Sequence, residues 1–167
     1  MIPDQYQGKG WDAAVSELVH AKSIRELVVY QKARELSRMI FELSASFPRE
    51  EVYSLTSQIR RSSRSVGAQI AEAWAKRRYE KHFISKLTDA DGEQMETQHW
   101  LESAVDFGYL SKEQIKNPLA LCVEIGRLLG GMIAKAHLFC KPDFTALHEE
   151  PALYLVSTDD RSPMTGH

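Results

Sequence analysis

Glu96 and His99 stand three residues apart, and Glu17 and His20 repeat that spacing. A Glu-x-x-His pair from each of two helices, joined by glutamates from two others, is how a helical bundle holds a di-iron or di-manganese centre. At about 100° per residue, however, Glu96 and His99 fall opposite the face that carries Leu87, Ala90 and Leu101, so both are expected to point outward. The second copy falls in a weakly helical stretch, and the first and fourth helices offer no inward pair of glutamates. No metal and no cofactor is expected.

The other reactive residue types are placed no better for catalysis. His82, His137, His148 and His167 have no helical partner of the kind a general base needs, and there is no glycine-rich phosphate loop. Ser62, Ser63 and Ser65 lie on a helix, without the strained strand-to-helix elbow that exposes a nucleophile. Cys122 and Cys140 fall within or beside one apolar helical pattern and lack metal-type spacing, so both read as reduced, mostly buried thiols. The chain is expected to be no enzyme, with no catalytic residue and no small-molecule substrate.

Charge carries more information. Arg60, Arg61, Arg64, Lys76, Arg77, Arg78 and Lys81 crowd the second helix and its exit. Asp89, Asp91, Glu93, Glu96, Glu102 and Asp106 lie on the third helix with no lysine or arginine between them. One reading makes Lys76, Arg77, Arg78 and Lys81, with Tyr79 available for stacking, an RNA-contacting edge. The plainer reading pairs the arginines with the acids, within one subunit or across a subunit interface. A net charge of −2 favours the second reading, because a surface built wholly for nucleic acid would be basic.

These residues need elements to hold them, and the apolar periodicity supplies four. With 43% hydrophobic and 26% charged residues in 167, the composition is that of one ordinary globular domain. Val29, Ala33, Leu36, Ile40 and Leu43 recur at steps of four and three and define a first helix from about Glu26, expected to stop at Phe47-Pro48. Glu50 and Glu51 are then expected in the first turn of a second helix, whose seam runs Leu55, Ile59, Ser62, Val66, Ile70, Ala73. Phe83, Leu87, Ala90, Gln94, Thr97, Leu101 and Ala104 form a third seam, with Gly108 a natural terminator. Ser111 and Gln114 have capping-box spacing, Pro118 begins or kinks the last helix, and Leu121, Ile125, Leu128, Met132 and Phe139 form its seam.

The fold class expected is therefore all-α, an antiparallel up-and-down four-helix bundle over residues 24–141. Residues 1–23 read as a flexible N-terminal arm with a short helical stretch from Asp12 to His20, and residues 142–167 as a loose C-terminal tail in which Leu147, Leu153 and Leu155 are able to dock. No apolar run approaches the ~18 residues of a membrane span, and no apolar stretch follows the first charges, so no membrane partner and a cytoplasmic location are expected. On the second helix Gly67, Ala71 and Ala75 make a strip of small residues that admits a close helix. Trp74 and Trp100 lie at the margins of their seams, where aromatics often anchor an interface. Self-association through the second and third helices is the expectation.

Three runs carry a resemblance: Leu27-Val28-Val29-Tyr30-Gln31-Lys32-Ala33, then Phe47-Pro48-x-Glu50-Glu51-x-Tyr53-x-Leu55, then Gln58 to Ala73. With Glu93-x-x-Glu96-Thr97-x-x-Trp100-Leu101 and Gly108-Tyr109-Leu110, they resemble the four-helix-bundle family of the bacterial large-subunit rRNA intervening sequences over residues 24 to 140. The family is related to the accessory variability determinant of diversity-generating retroelements, which binds a reverse transcriptase and nucleic acid. The resemblance implies a ring-like homopentamer without enzymatic activity, and an RNA or nucleic-acid-processing partner. Gln69 stands where the family commonly has Asn, and Ala73 where it has Gly; the retroelement relatives are also strongly basic, as this chain is not. Arg60, Arg61, Arg64, Glu72, Trp74, Glu93, Glu96 and Trp100 are the expected packing or subunit contacts. Lys76, Arg77, Arg78 and Lys81 are the expected nucleic-acid edge.

Overall fold

A computed structural model describes residues 21–140; the arm before them and the tail after them lie outside it. The apolar stripes fold into four long helices: α1 (Val28–Leu43), α2 (Leu55–Lys76), α3 (Glu80–Asp106) and α4 (Lys112–Ala134), followed by one short turn of helix, α5 (Ala136–Phe139). No strand occurs among the described residues. Links as short as the three residues between α2 and α3 force sequence neighbours to run antiparallel. Packing of α1 on α4 closes the bundle.

The predicted seams are the buried faces. On α2, Leu55, Ile59, Ser62, Val66, Ile70 and Ala73 are all buried, and on α3 the buried set is the predicted one residue for residue. Each fully buried Leu, Ile or Phe contributes about 1.5–3 kcal/mol over an exposed one, which makes the closed centre the dominant source of stability. Phe83 stacks on Phe139 with ring centroids 5.7 Å apart, so α5 plugs the end of the bundle from which α3 rises.

Two helix ends follow their local chemistry. Gly108 takes φ +74°, the left-handed geometry that ends α3 and that a side chain would oppose. Ser111 accepts the Gln114 amide while the Gln114 side chain accepts the Ser111 amide, the reciprocal cap expected at the start of α4.

Several boundaries differ from expectation. α2 starts at Leu55 and not near Pro48: Glu50 and Glu51 sit in a separate 3-10 turn, Arg49–Glu51, because the backbone at Ser54 is non-helical. Glu51 nonetheless serves α2 from outside, its carboxylate accepting the Leu55 amide at 3.1 Å. Of the two places expected for Pro118, the start of the last helix is ruled out, since it lies buried inside α4. In that helix Leu129, not Leu128, is fully buried: Cys122, Ile125, Leu129 and Met132 follow one another at steps of three, four and three, a register that leaves Leu128 at the margin of the seam. Phe139 belongs to α5 and not to α4. At the other end Leu27, outside the predicted seam, is fully buried just ahead of α1.

α4 also corrects the expectation about apolar runs. By length and composition its 23 residues suffice to cross a membrane, yet it packs as the fourth wall of the bundle, with 33% of its most apolar stretch buried.

Candidate interaction surface

The polar residues singled out on α2 and α3 divide into those held within the chain and those left free. Ser62 and Thr97 meet in the buried seam, the Thr97 hydroxyl donating to Ser62 Oγ at 2.9 Å, which fixes the register of α2 against α3. Above this bond Arg61 Nη2 lies 3.5 Å from Glu96 Oε1, and the same oxygen accepts the Trp100 indole N–H at 3.0 Å. At the far end of the pair Lys86 bridges to Glu72 at 3.3 Å, and Glu72 also takes Lys76. Hydrogen bonds from Lys76 and then Lys86 hold the Glu72 carboxyl below its ordinary range. These pairs are largely exposed and each contributes little to stability.

Arg60 does not turn toward α3. Its Nε donates to Ser44 Oγ at 2.7 Å and its guanidinium lies 4.8 Å over the Phe41 ring, so it ties α2 to the end of α1. A second tie, unseen in the sequence, joins residues far apart in the chain: the Tyr109 hydroxyl donates to Glu51 at 3.0 Å. Hydrogen bonds from Ser54, the Leu55 amide and Tyr109 hold the Glu51 carboxyl below its usual value. Both residues lie in the runs that carry the family resemblance, which was the signal available for them.

Glu93 is the exception among the acids. One of its carboxylate oxygens is buried without a hydrogen-bond partner among the described residues. Burial, and then the nearby charge of Glu96, push its carboxyl above the ordinary range. Glu96 and His99 do not converge on it as ligands: Glu96 is taken up by Arg61 and Trp100, and His99 is exposed, its ring tilted against Trp100 with centroids 4.7 Å apart. Glu17 and His20 lie outside the described residues. Burial pushes the Cys122 thiol up to about 12, which leaves it protonated and inert at neutral pH.

The basic edge is similarly divided. Lys76 is engaged by Glu72, and Arg77 donates to the Trp74 carbonyl at 2.8 Å with its guanidinium 4.2 Å over the Trp74 ring. Arg78 and Lys81 are exposed and have no carboxylate partner among the described residues, and between them Tyr79 is 61% exposed. Arg64 is likewise exposed and unpaired among the described residues.

The small-residue strip admits a close helix at one point within the chain. A methyl group at Gly67 would lie 3.8 Å from the Ala33 side chain and 3.8 Å from the Tyr30 ring, so this part of the strip is where α1 approaches α2 within one chain. Apolar surface is left over on α4. Ala120, Val123, Gly130 and Ala134 are exposed along its outer face, with the exposed Arg127 between Val123 and Gly130 and with Leu119 and Ile133 half-buried beside them. Side chains added at Gly130 or Gly131 would meet nothing within 4 Å.

This bundle, built on the Glu51 to Tyr109 tie and the Ser62 to Thr97 bond, matches the model of the 23S rRNA-intervening sequence protein family over residues 25–131. The chain belongs to that family. The match spans all of α1, α2 and α3 and nearly all of α4, and stops before α5. Among solved structures, the chain is similar to a protein of unknown function from the S23 ribosomal protein family of Bacteroides thetaiotaomicron. The two are 33% identical, with a TM-score of 0.59, over 64% of this chain and 96% of that one. No protein of curated function matches the chain.

Proposed function

We propose that the chain is a non-enzymatic, homo-oligomeric scaffold, in which copies join through surfaces that the single bundle leaves apolar. The observation that carries this reading is α4, apolar enough for a membrane span yet with Val123 45% exposed and Ala120, Gly130 and Ala134 exposed beside it on the outer face. Exposed apolar surface of this kind is stabilised when a partner covers it, and small residues let the partner's backbone approach closely. The polar network between α2 and α3, with Trp74 and Trp100 at its edges, gives a firm base for such contacts. Five copies is the number the family resemblance implies, and it is the number we propose. Light scattering across a wide concentration range should return about five times the 19.0 kDa chain mass, and Val123→Glu should lower that mass while leaving the helical signal intact. A steady 19.0 kDa particle at every concentration would sink the proposal.

A second reading rests on Arg78, Tyr79 and Lys81, which are exposed and form no ion pair among the described residues. They offer two free cations and a stacking ring to a phosphate backbone, as an RNA accessory factor requires. Here the partner is structured RNA or a protein that processes it. Retention of structured RNA should then fall steeply with salt and vanish when Lys76, Arg77, Arg78 and Lys81 are all changed to Glu. Absence of binding at ~50 mM salt removes this reading.

A further inference from the structure

Between α1 and α2 runs an open groove of about 450 Å³. Its floor is small, at Gly67 and Ala71, and Tyr30 and Phe41 stand on its α1 wall with Phe41 51% exposed. Arg34 and Arg64 flank it, both exposed and neither in an ion pair among the described residues. The groove continues across Arg64 onto a second surface lined by Tyr53, Arg60 and Arg61. No carboxylate lines either surface. Such a surface calls for an occupant that is both apolar and acidic.

The chain carries a segment of that kind. Between residues 142 and 160 the sequence has Asp143, Glu149, Glu150, Asp159 and Asp160 and no lysine or arginine, interleaved with Phe144, Leu147, Leu153, Tyr154 and Leu155. It follows α5, whose last neighbour Cys140 lies within the electrostatic reach of Arg77 and Glu80, at the end of the bundle where α2 finishes. The groove opens toward the same end, at Tyr30 and Ala71. Residues 143–156, able to span about 45 Å when extended, exceed the roughly 24 Å length of α1. The segment also lies beyond the residues shared with the family, 25–131.

We propose that residues 143–156 dock in the α1–α2 groove of their own bundle, with Glu149 and Glu150 meeting Arg34 and Arg64 and the apolar residues covering Tyr30, Phe41 and the Gly67 floor. Carboxylate–guanidinium pairs supply direction, and the apolar contacts supply most of the attraction. Because the segment is tethered, its effective concentration at the groove is in the millimolar range, and modest contacts suffice to hold it.

Chymotrypsin digestion of the full chain tests this, since Phe144 and Tyr154 are cleavage sites that charge reversal leaves untouched. Arg34→Glu with Arg64→Glu should speed cleavage there by about tenfold or more, as should Glu149→Lys with Glu150→Lys, because cleavage follows the population of the undocked form. Combining all four substitutions should restore slow cleavage. Wild-type rates in both double variants, or no restoration in the fourfold variant, would overturn the proposal. So would protection that rises with protein concentration, which places the segment on a second copy. An unchanged circular dichroism melting curve in each variant keeps misfolding out of the comparison, and mass by light scattering, read alongside, separates tail docking from assembly.

Discussion

α2 and α4 are both walls of the same bundle, and they are built in opposite ways. α2 is rich in serine and arginine, buries Ser62 and Ser63, and ties Arg60 to the end of α1 and Arg61, Ser62 and Glu72 to α3. α4 is the most apolar of the four long helices, buries one face, and presents Ala120, Val123, Gly130 and Ala134 outward. Hydrophobic content therefore does not report how deeply a helix is buried. The polar helix is the one tied by side-chain bonds to both its neighbours, and the apolar helix is the one that points to an interface.

The contrast concerns outer faces only, so the inner faces should respond alike. Ile59→Ala on α2 and Ile125→Ala on α4 each empty a site of 0–1% exposure and should each cost about 2–5 kcal/mol in urea unfolding. A difference larger than that spread would mean that one of the two walls is not part of the common core. A smaller effect is expected at the polar contact in the seam. Thr97→Val removes the donor to Ser62 and should cost about 1 kcal/mol, measured the same way; a neutral result would show that the register of α2 on α3 rests on packing alone.

The smallest effect concerns sign more than size. A carboxyl raised in the folded state binds its proton more tightly there than in the unfolded chain, so stability falls as pH rises through that raised value. Glu93→Gln should therefore raise the melting temperature at neutral pH, and the advantage should close as pH falls through the ordinary carboxylate range. A lower melting temperature at neutral pH would mean that a donor reaches the buried Glu93 oxygen, as a neighbouring copy is able to provide.

Much of this was legible in the sequence. The seam of α3 is read residue for residue, and that of α2 in all but Thr56 and Ser63, because steps of three and four leave few choices over helices of 22 and 27 residues. The ends were harder. Glu50 and Glu51 look like first-turn acids, but a proline-led 3-10 turn uses the same residue types as a helix start, and only the backbone at Ser54 separates them. Leu128 and Leu129 are adjacent and equally apolar, so periodicity alone cannot choose between them. Individual polar partners were least legible: Arg60 and Arg61 are neighbours of identical type, yet one turns to Ser44 on the α1 side and the other to Glu96 on α3, since adjacent helical residues point about 100° apart. The Glu51 to Tyr109 tie spans a sequence distance that no local pattern encodes.

The three-residue link between α2 and α3 has a kinetic consequence. Closing so short a loop costs little chain entropy, and α2 and α3 find their shared seam before α1 and α4, remote in sequence, must meet. The hairpin is then the folding nucleus and α1 the last wall to settle. In stopped-flow experiments Ile70→Ala should slow refolding, whereas Val29→Ala should leave the refolding rate nearly unchanged and speed unfolding.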